Sequence, residues 1–371
     1  MSARRWFLFV SLCALALLLL IATACKSSNE NSRVFSAAPA PVVQAQNAEK
    51  ISIAAVGDIM LGSTNPPDRG LPVEDGAKML VDVTPVLSAV DIAFGNLEGP
   101  MLDGVGKSSK CGPGSRLCYA FRVPTRYGKY LKDAGFDLLS LANNHASDFG
   151  LEGRQSTKRV LDQLGITHAG GDLNDIPYLN IKGKKIAVVA FATNEVSYNL
   201  NDIATARRIV AEVAKKADIV IVSFHGGAEG AAAQNVPRGP ETFLGAPRGD
   251  LRAFTHAVVD AGADLVLGHG PHVVRGMEIY RNRLIAYSLG NFAFYSFPFK
   301  GPTAISLILE VNLAPDGAFA SGVVHPLVQE GQNGPRLDKA GAILPLLRQL
   351  STTDFGASAI KVGTDGTLTA P

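Results

Sequence analysis

The sequence predicts a layered α/β domain that follows an export signal and a flexible linker. Two observations support the prediction for the domain. Between residues 51 and 269, short apolar runs alternate with segments of helical periodicity, which is typical of buried, largely parallel strands covered by helices. From residue 277 onwards, strand-like stretches follow one another across turns without helical segments. This change indicates a second, antiparallel sheet packed on the first within one domain.

Residues 1–24 are predicted to be an export signal. Two arginines precede an apolar stretch from Trp6 to Thr23, and a small-x-small cleavage site ends directly before Cys25. Three interpretations remain open: lipidation of Cys25 after cleavage, cleavage as an ordinary signal peptide, or retention as an uncleaved membrane anchor. Each interpretation exports the domain from the cytoplasm, and the favoured one is a protein of the cell envelope that is lipid-anchored to the membrane and faces outside the cytoplasm.

Residues 25–49 are predicted to be a flexible tether, because they consist largely of Ser, Asn, Ala, Pro and Gln without apolar periodicity. Cleavage of the signal removes two arginines and no acid, so the formal net charge falls from +2 to zero. Nucleic-acid-binding proteins normally carry a basic excess. We therefore expect no nucleic-acid partner.

Two cysteines lie within the domain, in the segment CGPGSRLC that begins at Cys111 and ends at Cys118. The six residues between them include Gly, Pro and Ser and can turn the chain back on itself. In an oxidising compartment this spacing favours a local disulfide. Two thiols alone make a poor zinc site.

The strands and helices of the domain are predicted in the following order. Parallel strands are expected at residues 51–57, 91–96, 136–142, 185–192, 218–225 and 263–269, and helices at 125–134, 152–164, 202–216 and 250–261. Antiparallel stretches are expected at 277–294, 303–313 and 317–328, joined by turns such as Arg281-Asn282-Arg283 and Pro315-Asp316-Gly317. The domain is expected to span residues 50–350, with residues 351–371 as a C-terminal tail.

Polar residues recur where the predicted strands end. They are Asp58, Asn96, Glu98, Asn143, Asn144, His145, His225, His269 and His272. Ligands of open α/β sheets bind at the carboxyl ends of strands, so we expect these side chains to converge. Four of the seven histidines fall in these segments, which favours a metal or acid–base site. Carboxylate, amide and imidazole groups without a thiolate indicate a divalent Mn, Zn or Fe ion.

Six segments that contain these residues match a known family in their order and spacing. They are AAVGDIMLG, AFGNLEGP, LANNHASDFGLEG, SFHGGAEG, GADLVLGHGPHVVRGMEIY and IAYSLGNFAF, spread over residues 51–299. In this arrangement the chain resembles the CapA-type poly-γ-glutamate capsule biosynthesis family of the calcineurin-like metallophosphoesterase superfamily. The resemblance implies a four-layer αββα sandwich of two mixed sheets, with a centre of one or two metal ions at the strand ends.

The resemblance also implies a role for each residue. His145 would protonate a leaving group, and the metal ligands would be Asp58, Glu98 as the bridging carboxylate, Asn144, His225 and His272. His269, Asn143 and Glu229 are candidates for a further ligand or for supporting one. Asn291 is a candidate for contact with substrate, with a structural turn as the equal alternative.

The chain departs from the superfamily pattern at two positions. Met60 stands where the first motif has a histidine, and Gly270 stands where the last motif has one. We therefore expect one metal ion or a weakened second site. Asp148 is expected to cap the helix that begins near Glu152.

Three functions remain open at this point. The first is a metal-dependent hydrolase of phosphoesters or γ-glutamyl amides. The second is a capsule-assembly factor that binds or transfers an anionic γ-linked glutamate polymer, with a capsule-export complex as its partner. The third is a non-catalytic envelope scaffold that has lost full metal binding. His145 argues against the third, because a proton donor has little use in a pure binder.

Replacing Cys25 with alanine is expected to release the protein from the membrane, because a cleaved chain without lipid keeps no anchor. Cell fractionation measures the release, and the mass of the mature N-terminal peptide reports the lipid directly. Cys13→Ala is the matched control, since Cys13 lies within the signal. A wild-type protein already in the soluble fraction would contradict the lipoprotein interpretation.

Overall fold

Two mixed β-sheets dominate the computed structural model of the protein, which describes residues 49–65, 70–104, 108–111, 118–295, 300–329 and 334–371. The strands in these ranges are β1 (Ile51–Met60), β2 (Ile92–Leu97), β3 (Leu138–Ser140), β4 (Thr167–Ala169), β5 (Tyr178–Ile181), β6 (Lys184–Ala192), β7 (Tyr198–Asn199), β8 (Ile219–His225), β9 (Glu241–Phe243), β10 (Ala246–Gly249), β11 (Leu265–His269), β12 (Met277–Tyr280), β13 (Arg283–Ala286), β14 (Asn291–Phe294), β15 (Ile305–Leu313), β16 (Phe319–Gln329), β17 (Pro335–Leu337), β18 (Lys361–Val362) and β19 (Thr367–Thr369). The α-helices are α1 (Thr84–Leu87), α2 (Gly128–Asp133), α3 (Gly150–Leu164), α4 (Ile203–Ala214), α5 (Leu251–Asp260) and α6 (Ile343–Phe355).

The order of strands places the ends of the parallel strands at one edge of each sheet. The first sheet has the order β18-β19-β16-β15-β1-β2-β3-β4, with β14 beside β1 and β17 beside β16. The second sheet has the order β12-β13-β11-β8-β6-β5, with β7 beside β6, and β9 and β10 form a separate hairpin. β1, β2 and β3 are parallel, as are β6, β8 and β11. Their carboxyl ends therefore form two rows of adjacent positions.

Buried apolar residues form three layers. Ile53 of the first sheet and Val188 of the second belong to the layer between the sheets. Leu161 of α3 belongs to the layer on the outer face of the first sheet, and Phe254 of α5 to that of the second. Each such side chain contributes about 1.5–3 kcal/mol when fully buried. Helices outside two stacked sheets make the four-layer αββα sandwich, which confirms the predicted fold class.

Local sequence signals explain where the central helices begin and end. The Asp202 carboxylate accepts a hydrogen bond from the Thr205 backbone at the start of α4, and Asp250 accepts one from Ala253 at the start of α5. Both are N-caps that satisfy a free backbone N–H. α3 ends at Gly165, whose φ of 65° is left-handed, as is common at a helix C-terminus.

The antiparallel strands after residue 277 do not form a sheet of their own, contrary to our expectation. β12 and β13 turn at Arg281 and Asn282, which have φ values of 49° and 62°, and this hairpin completes the second sheet. β14 and β15 instead pair with β1 in the first sheet, β15 antiparallel as expected but β14 parallel. Apolar alternation identifies a strand but not its partner, because tertiary packing selects the pairing.

Residues 351–371, which we expected to be a tail, are part of the fold. α6 continues to Phe355, and β18 and β19 form one edge of the first sheet. Leu368 is only 1% exposed and contributes to the layer between the sheets. Two-residue and three-residue strands carry too little alternation to be recognised in the sequence.

The predictions for the N-terminal part of the chain concern the signal and the tether. The predicted signal, Cys25 and residues 25–48 of the predicted tether lie outside the described residues. Within the described ranges, no helix combines the length and the apolar character needed to cross a bilayer. Farther along the chain, Cys111 and Cys118 form a disulfide in the structure, with their Cα atoms 5.7 Å apart.

Leu368→Ala is expected to lower the free energy of unfolding by roughly 2–5 kcal/mol, because it removes a buried side chain from the layer between the sheets. Thr369→Ala is the matched control, since Thr369 is the next residue on the same strand and is exposed. Urea denaturation followed by circular dichroism measures both variants. Equal stability of the two variants would show that β19 is not anchored in the core.

Candidate metal centre

Strand ends from both sheets meet at one place. Asp58 in β1 lies opposite Asn96 of β2 and Asn291 of β14. In the second sheet, His225 ends β8 and lies opposite His269 at the end of β11. Side chains that are far apart in sequence are therefore brought together by the register of the two sheets.

The Glu98 carboxylate, directly after β2, is the centre of this cluster. Its Oε1 lies 3.7 Å from His225 Nε2, 3.8 Å from His272 Nε2 and 3.9 Å from His145 Nε2. Glu98 is 1% exposed, and neither of its carboxylate oxygens has a hydrogen-bond partner among the described residues. An uncompensated buried carboxylate is unfavourable. A divalent cation bound by Glu98, His225 and His272 would supply the missing compensation.

Asp58 is the second buried acid of the cluster. Its Oδ2 lies 3.1 Å from His272 Nδ1, and its Oδ1 accepts a hydrogen bond of 2.9 Å from the side-chain nitrogen of Asn96. Asp58, Glu98 and His272 each offer one ligand atom, and these atoms lie within 4.8 Å of one another. This spacing suits joint coordination of a single ion.

Burial and charge shift the pKa values in opposite directions. Burial alone would raise the pKa of Asp58, but the hydrogen bond and charge of His272 hold it well below its usual value. Burial, with Asp58 and Glu229 nearby, raises the pKa of Glu98 well above its usual value although His272 opposes this. Burial would lower the pKa of His272, but Glu98 and Asp58 raise it to about 10. A bound cation would therefore displace a proton from this cluster.

The other proposed ligands differ in what they contact. His225 is fully buried, its Nε2 has no hydrogen-bond partner in the described part of the chain, and burial lowers its pKa well below the usual value. It is therefore a neutral imidazole with a free nitrogen. The side-chain oxygen of Asn144 is also buried without a partner in the described ranges. His269 instead uses Nε2 to contact the Val56 carbonyl oxygen at 3.1 Å, which ties its ring to the backbone of β1.

Asn143 and Asn291 hold other site residues in place. The Asn143 side chain donates to the Leu97 carbonyl at 2.8 Å and accepts from the His145 backbone at 3.0 Å. The Asn291 oxygen lies 3.0 Å from His272 Nδ1, and its nitrogen donates to the His272 and Thr303 carbonyls. Asn291 is 2% exposed, so its amide is engaged by the protein instead of facing substrate.

Asp148 does not cap α3, contrary to our expectation. The residue before α3 is Phe149, and no side chain of the described residues caps that end. The buried Asp148 carboxylate instead lies 2.7 Å from His145 Nδ1 and accepts a hydrogen bond from the Phe121 backbone. His145 Nε2 faces Glu98. Asp148 lies three residues after His145 and also just before α3. Its position therefore fits a helix cap as well as a partner of His145, and the sequence alone did not reveal the pair.

Glu229 borders the cluster on its more open side. Its Oε1 lies 3.0 Å from Arg248 Nη2 and its Oε2 lies 4.0 Å from His272 Nε2. Arg248 is buried, and its Nε donates to the Gly227 carbonyl. Glu229 is therefore held beside the candidate ligands with its side chain 19% exposed, although its distance from His272 is too long for a direct contact.

The structure accounts for both departures from the superfamily motifs. Met60 packs in a buried apolar cluster with Phe121 and Phe294. Gly270 has a φ of 109°, and a Cβ there would lie 2.9 Å from the Gly226 oxygen and 3.1 Å from an Arg248 nitrogen. A histidine cannot occupy position 270 without moving these groups. The site therefore offers fewer imidazole ligands for a metal than the superfamily motifs do.

The fold and the cluster together define an αββα protein with a candidate divalent-metal site at the strand ends. A family model described as "Bacterial capsule synthesis protein PGA_cap" matches residues 52–296. The chain therefore belongs to this family of bacterial capsule synthesis proteins, which confirms the resemblance found in the sequence.

Individual relatives cover most of the chain. The "Capsule biosynthesis protein CapA" of Bacillus anthracis is 30% identical over 319 residues, which cover 80% of this chain and 72% of that protein. The "PGA biosynthesis protein CapA" of Bacillus subtilis (strain 168) is 31% identical over 274 residues, which cover 69% and 67%. A solved structure of a hypothetical protein from Thermus thermophilus is similar with a TM-score of 0.45 and 16% identity, over 75% of this chain and 100% of that chain.

Glu98→Gln is expected to weaken binding of a divalent cation by at least about tenfold, because it removes the charge on which the candidate ligands converge. Isothermal titration with Mn²⁺ and Zn²⁺, together with elemental analysis, measures the loss. His168→Ala is the control, because His168 pairs with Asp175 and Asp162 outside the cluster. Unchanged affinity in Glu98→Gln would show that Glu98 holds no metal.

Proposed function

We propose that this capsule synthesis protein is a metal-dependent hydrolase of the cell envelope that cleaves an anionic polymer of γ-linked glutamate. The observation that supports the proposal is the convergence of the buried Glu98 carboxylate with His225, His272 and the His145–Asp148 pair. The names of the Bacillus relatives, which refer to capsule and PGA biosynthesis, support the choice of polymer. Phosphoesters are the alternative substrate class.

The protein supplies both a metal-binding half and a proton-donating half. Asp58, Glu98, Asn144, His225 and His272 would hold one Mn, Zn or Fe ion, and the ion would activate water and polarise the bond to be cleaved. As an imidazolium whose Nδ1–H is directed at Asp148, His145 would give its second proton from Nε2 to the leaving nitrogen or oxygen. Burial lowers the pKa of His145 while Asp148 opposes this, and the Asp148 carboxylate fixes the ring through Nδ1.

One ion accounts for the site better than two. The thioether of Met60 lies in an apolar cluster, and position 270 leaves no space for an imidazole. Each of these positions would otherwise add a nitrogen ligand. The remaining carboxylates, imidazoles and amide suffice for a single ion.

The cell envelope is the expected place of action. The apolar N-terminal segment would tether the domain to the membrane through lipid or an uncleaved signal. A capsule-export complex is the expected protein partner there, because the polymer has to leave the cell. This placement is consistent with the disulfide between Cys111 and Cys118, since disulfides persist in oxidising compartments.

A polymer-binding scaffold is the second candidate. The losses at Met60 and Gly270 favour it, because they reduce the number of metal ligands. The His145–Asp148 pair argues against it, since a pure binder gains nothing from an imidazole held by a buried carboxylate beside Glu98. The two candidates differ in whether a metal-loaded protein turns over any substrate.

His145→Ala is expected to reduce kcat by about 10²–10⁴-fold while bound metal stays unchanged, because it removes the proton donor and no ligand. Release of glutamate oligomers from poly-γ-glutamate and hydrolysis of activated phosphodiesters measure turnover. The loss should be smallest for substrates whose leaving groups need no proton. His256→Ala is the control, because His256 pairs with Glu278 outside the site. If the metal-loaded wild type cleaves neither substrate, the hydrolase function is excluded and the polymer-binding scaffold remains.

A further inference from the structure

The disulfide lies between two segments that both contact the His145–Asp148 pair. Cys111 directly follows Lys110, and Cys118 precedes Phe121 by three positions. The disulfide joins the two segments at a Cα separation of 5.7 Å. Neither the proposed metal ligation nor the proposed proton transfer uses these segments.

The segment before Cys111 contacts the pair through Lys110. Lys110 Nζ lies 3.3 Å from Asp148 Oδ1 and donates a hydrogen bond of 3.0 Å to the Asn144 carbonyl oxygen. The same nitrogen lies 3.2 Å from His145 Nδ1. His145 Nδ1 is nearer to Asp148, at 2.7 Å, so we take the imidazole to donate to the carboxylate and the ammonium to neutralise it. The Ser109 backbone also donates to the Asp148 carbonyl oxygen at 2.9 Å.

The segment after Cys118 contacts the other sides of the pair. The Phe121 backbone donates a hydrogen bond of 2.7 Å to Asp148 Oδ2. The Phe121 ring stacks on the His145 imidazole with centroids 4.2 Å apart and planes inclined by 30°. Phe121 is itself buried with Met60 and Phe294. The ring of His145 is thus restrained on one face by an aromatic group and at Nδ1 by the carboxylate.

We propose that the Cys111–Cys118 disulfide is a clamp that positions the proton donor, and that Lys110 is a positioning residue of the reaction. The disulfide keeps the Lys110 and Phe121 segments side by side, so that ammonium, backbone N–H and aromatic ring act together on the His145–Asp148 pair. This inference rests on the proposed hydrolase function, because a positioned donor matters only to a reaction.

The kinetic test compares variants of the full-length mature protein. Lys110→Ala and the double variant Cys111→Ser/Cys118→Ser are expected to lower kcat by about 10–100-fold, as loss of outer supporting groups typically does. KM and bound metal should stay unchanged, and the loss should shrink for substrates whose leaving groups need no proton. Lys110→Arg should retain most of the activity, because it keeps the charge.

The matched control is Lys182→Ala, since the Lys182 side chain is 27% exposed against 30% for Lys110 and pairs with Asp91 and Glu49 outside the site. A merely stabilising disulfide would lower the melting temperature and leave kcat of the folded enzyme unchanged. That result, or equal losses for Lys110→Arg and Lys110→Ala, would overturn the proposal.

Amide hydrogen exchange tests the clamp without any turnover. In the double cysteine variant, peptides containing Phe121 and residues 145–149 are expected to exchange faster, whereas the peptide of β8 (Ile219–His225) should not change. This outcome would support the clamp even if the wild type cleaves no tested substrate, which would count against the hydrolase function alone. Unchanged exchange in the peptides containing Phe121 and residues 145–149 would overturn the clamp.

Discussion

The structure of the site depends on one electrostatic constraint: the Glu98 carboxylate is buried between two sheets without a hydrogen-bond donor from the described residues. Folding can tolerate such a group only if it is protonated or if positive charge is supplied nearby. The raised pKa values of Glu98 and His272 show both responses in the protein alone. The imidazoles and the neighbouring Asp58 are then arranged as a site where a cation would satisfy all of these groups together.

The backbone around the site is shaped to keep these groups in place. His272 has a φ of 58°, which is uncommon for a residue with a side chain and costs of order 1 kcal/mol. Asn291 contacts both the ring and the backbone of that residue. At Gly57, a Cβ would overlap the Gly290 backbone oxygen, so glycine allows β14 to lie close to β1. Local strain and close packing thus position the ligands.

Much of the site could be predicted because polar residues at strand ends have few structural explanations. Asp58, Glu98, His225 and His272 follow apolar runs, and the ends of parallel strands share an edge. Asp148 and Lys110 could not be assigned in this way. Their roles depend on side-chain geometry across different segments, whereas their local sequence fits a cap or a surface loop equally well. The sequence also did not reveal which strands belong to which sheet. β1 pairs with β2, which follows it closely, and with β15, which lies far along the chain. Such pairings depend on tertiary packing and not on local sequence.

The pairing of β1 with β14 and β15 determines when the metal site can form. Asp58 lies near the start of the domain, but its neighbour Asn291 is made more than two hundred residues later. The ligand cluster can therefore form only after residue 291 has been made and β14 has paired with β1. The ion that enters would then be set by the metals present where the chain folds, because intrinsic preferences of nitrogen and oxygen ligands alone select poorly among Mn, Fe and Zn. The place where the chain folds would thereby decide which metal the protein receives.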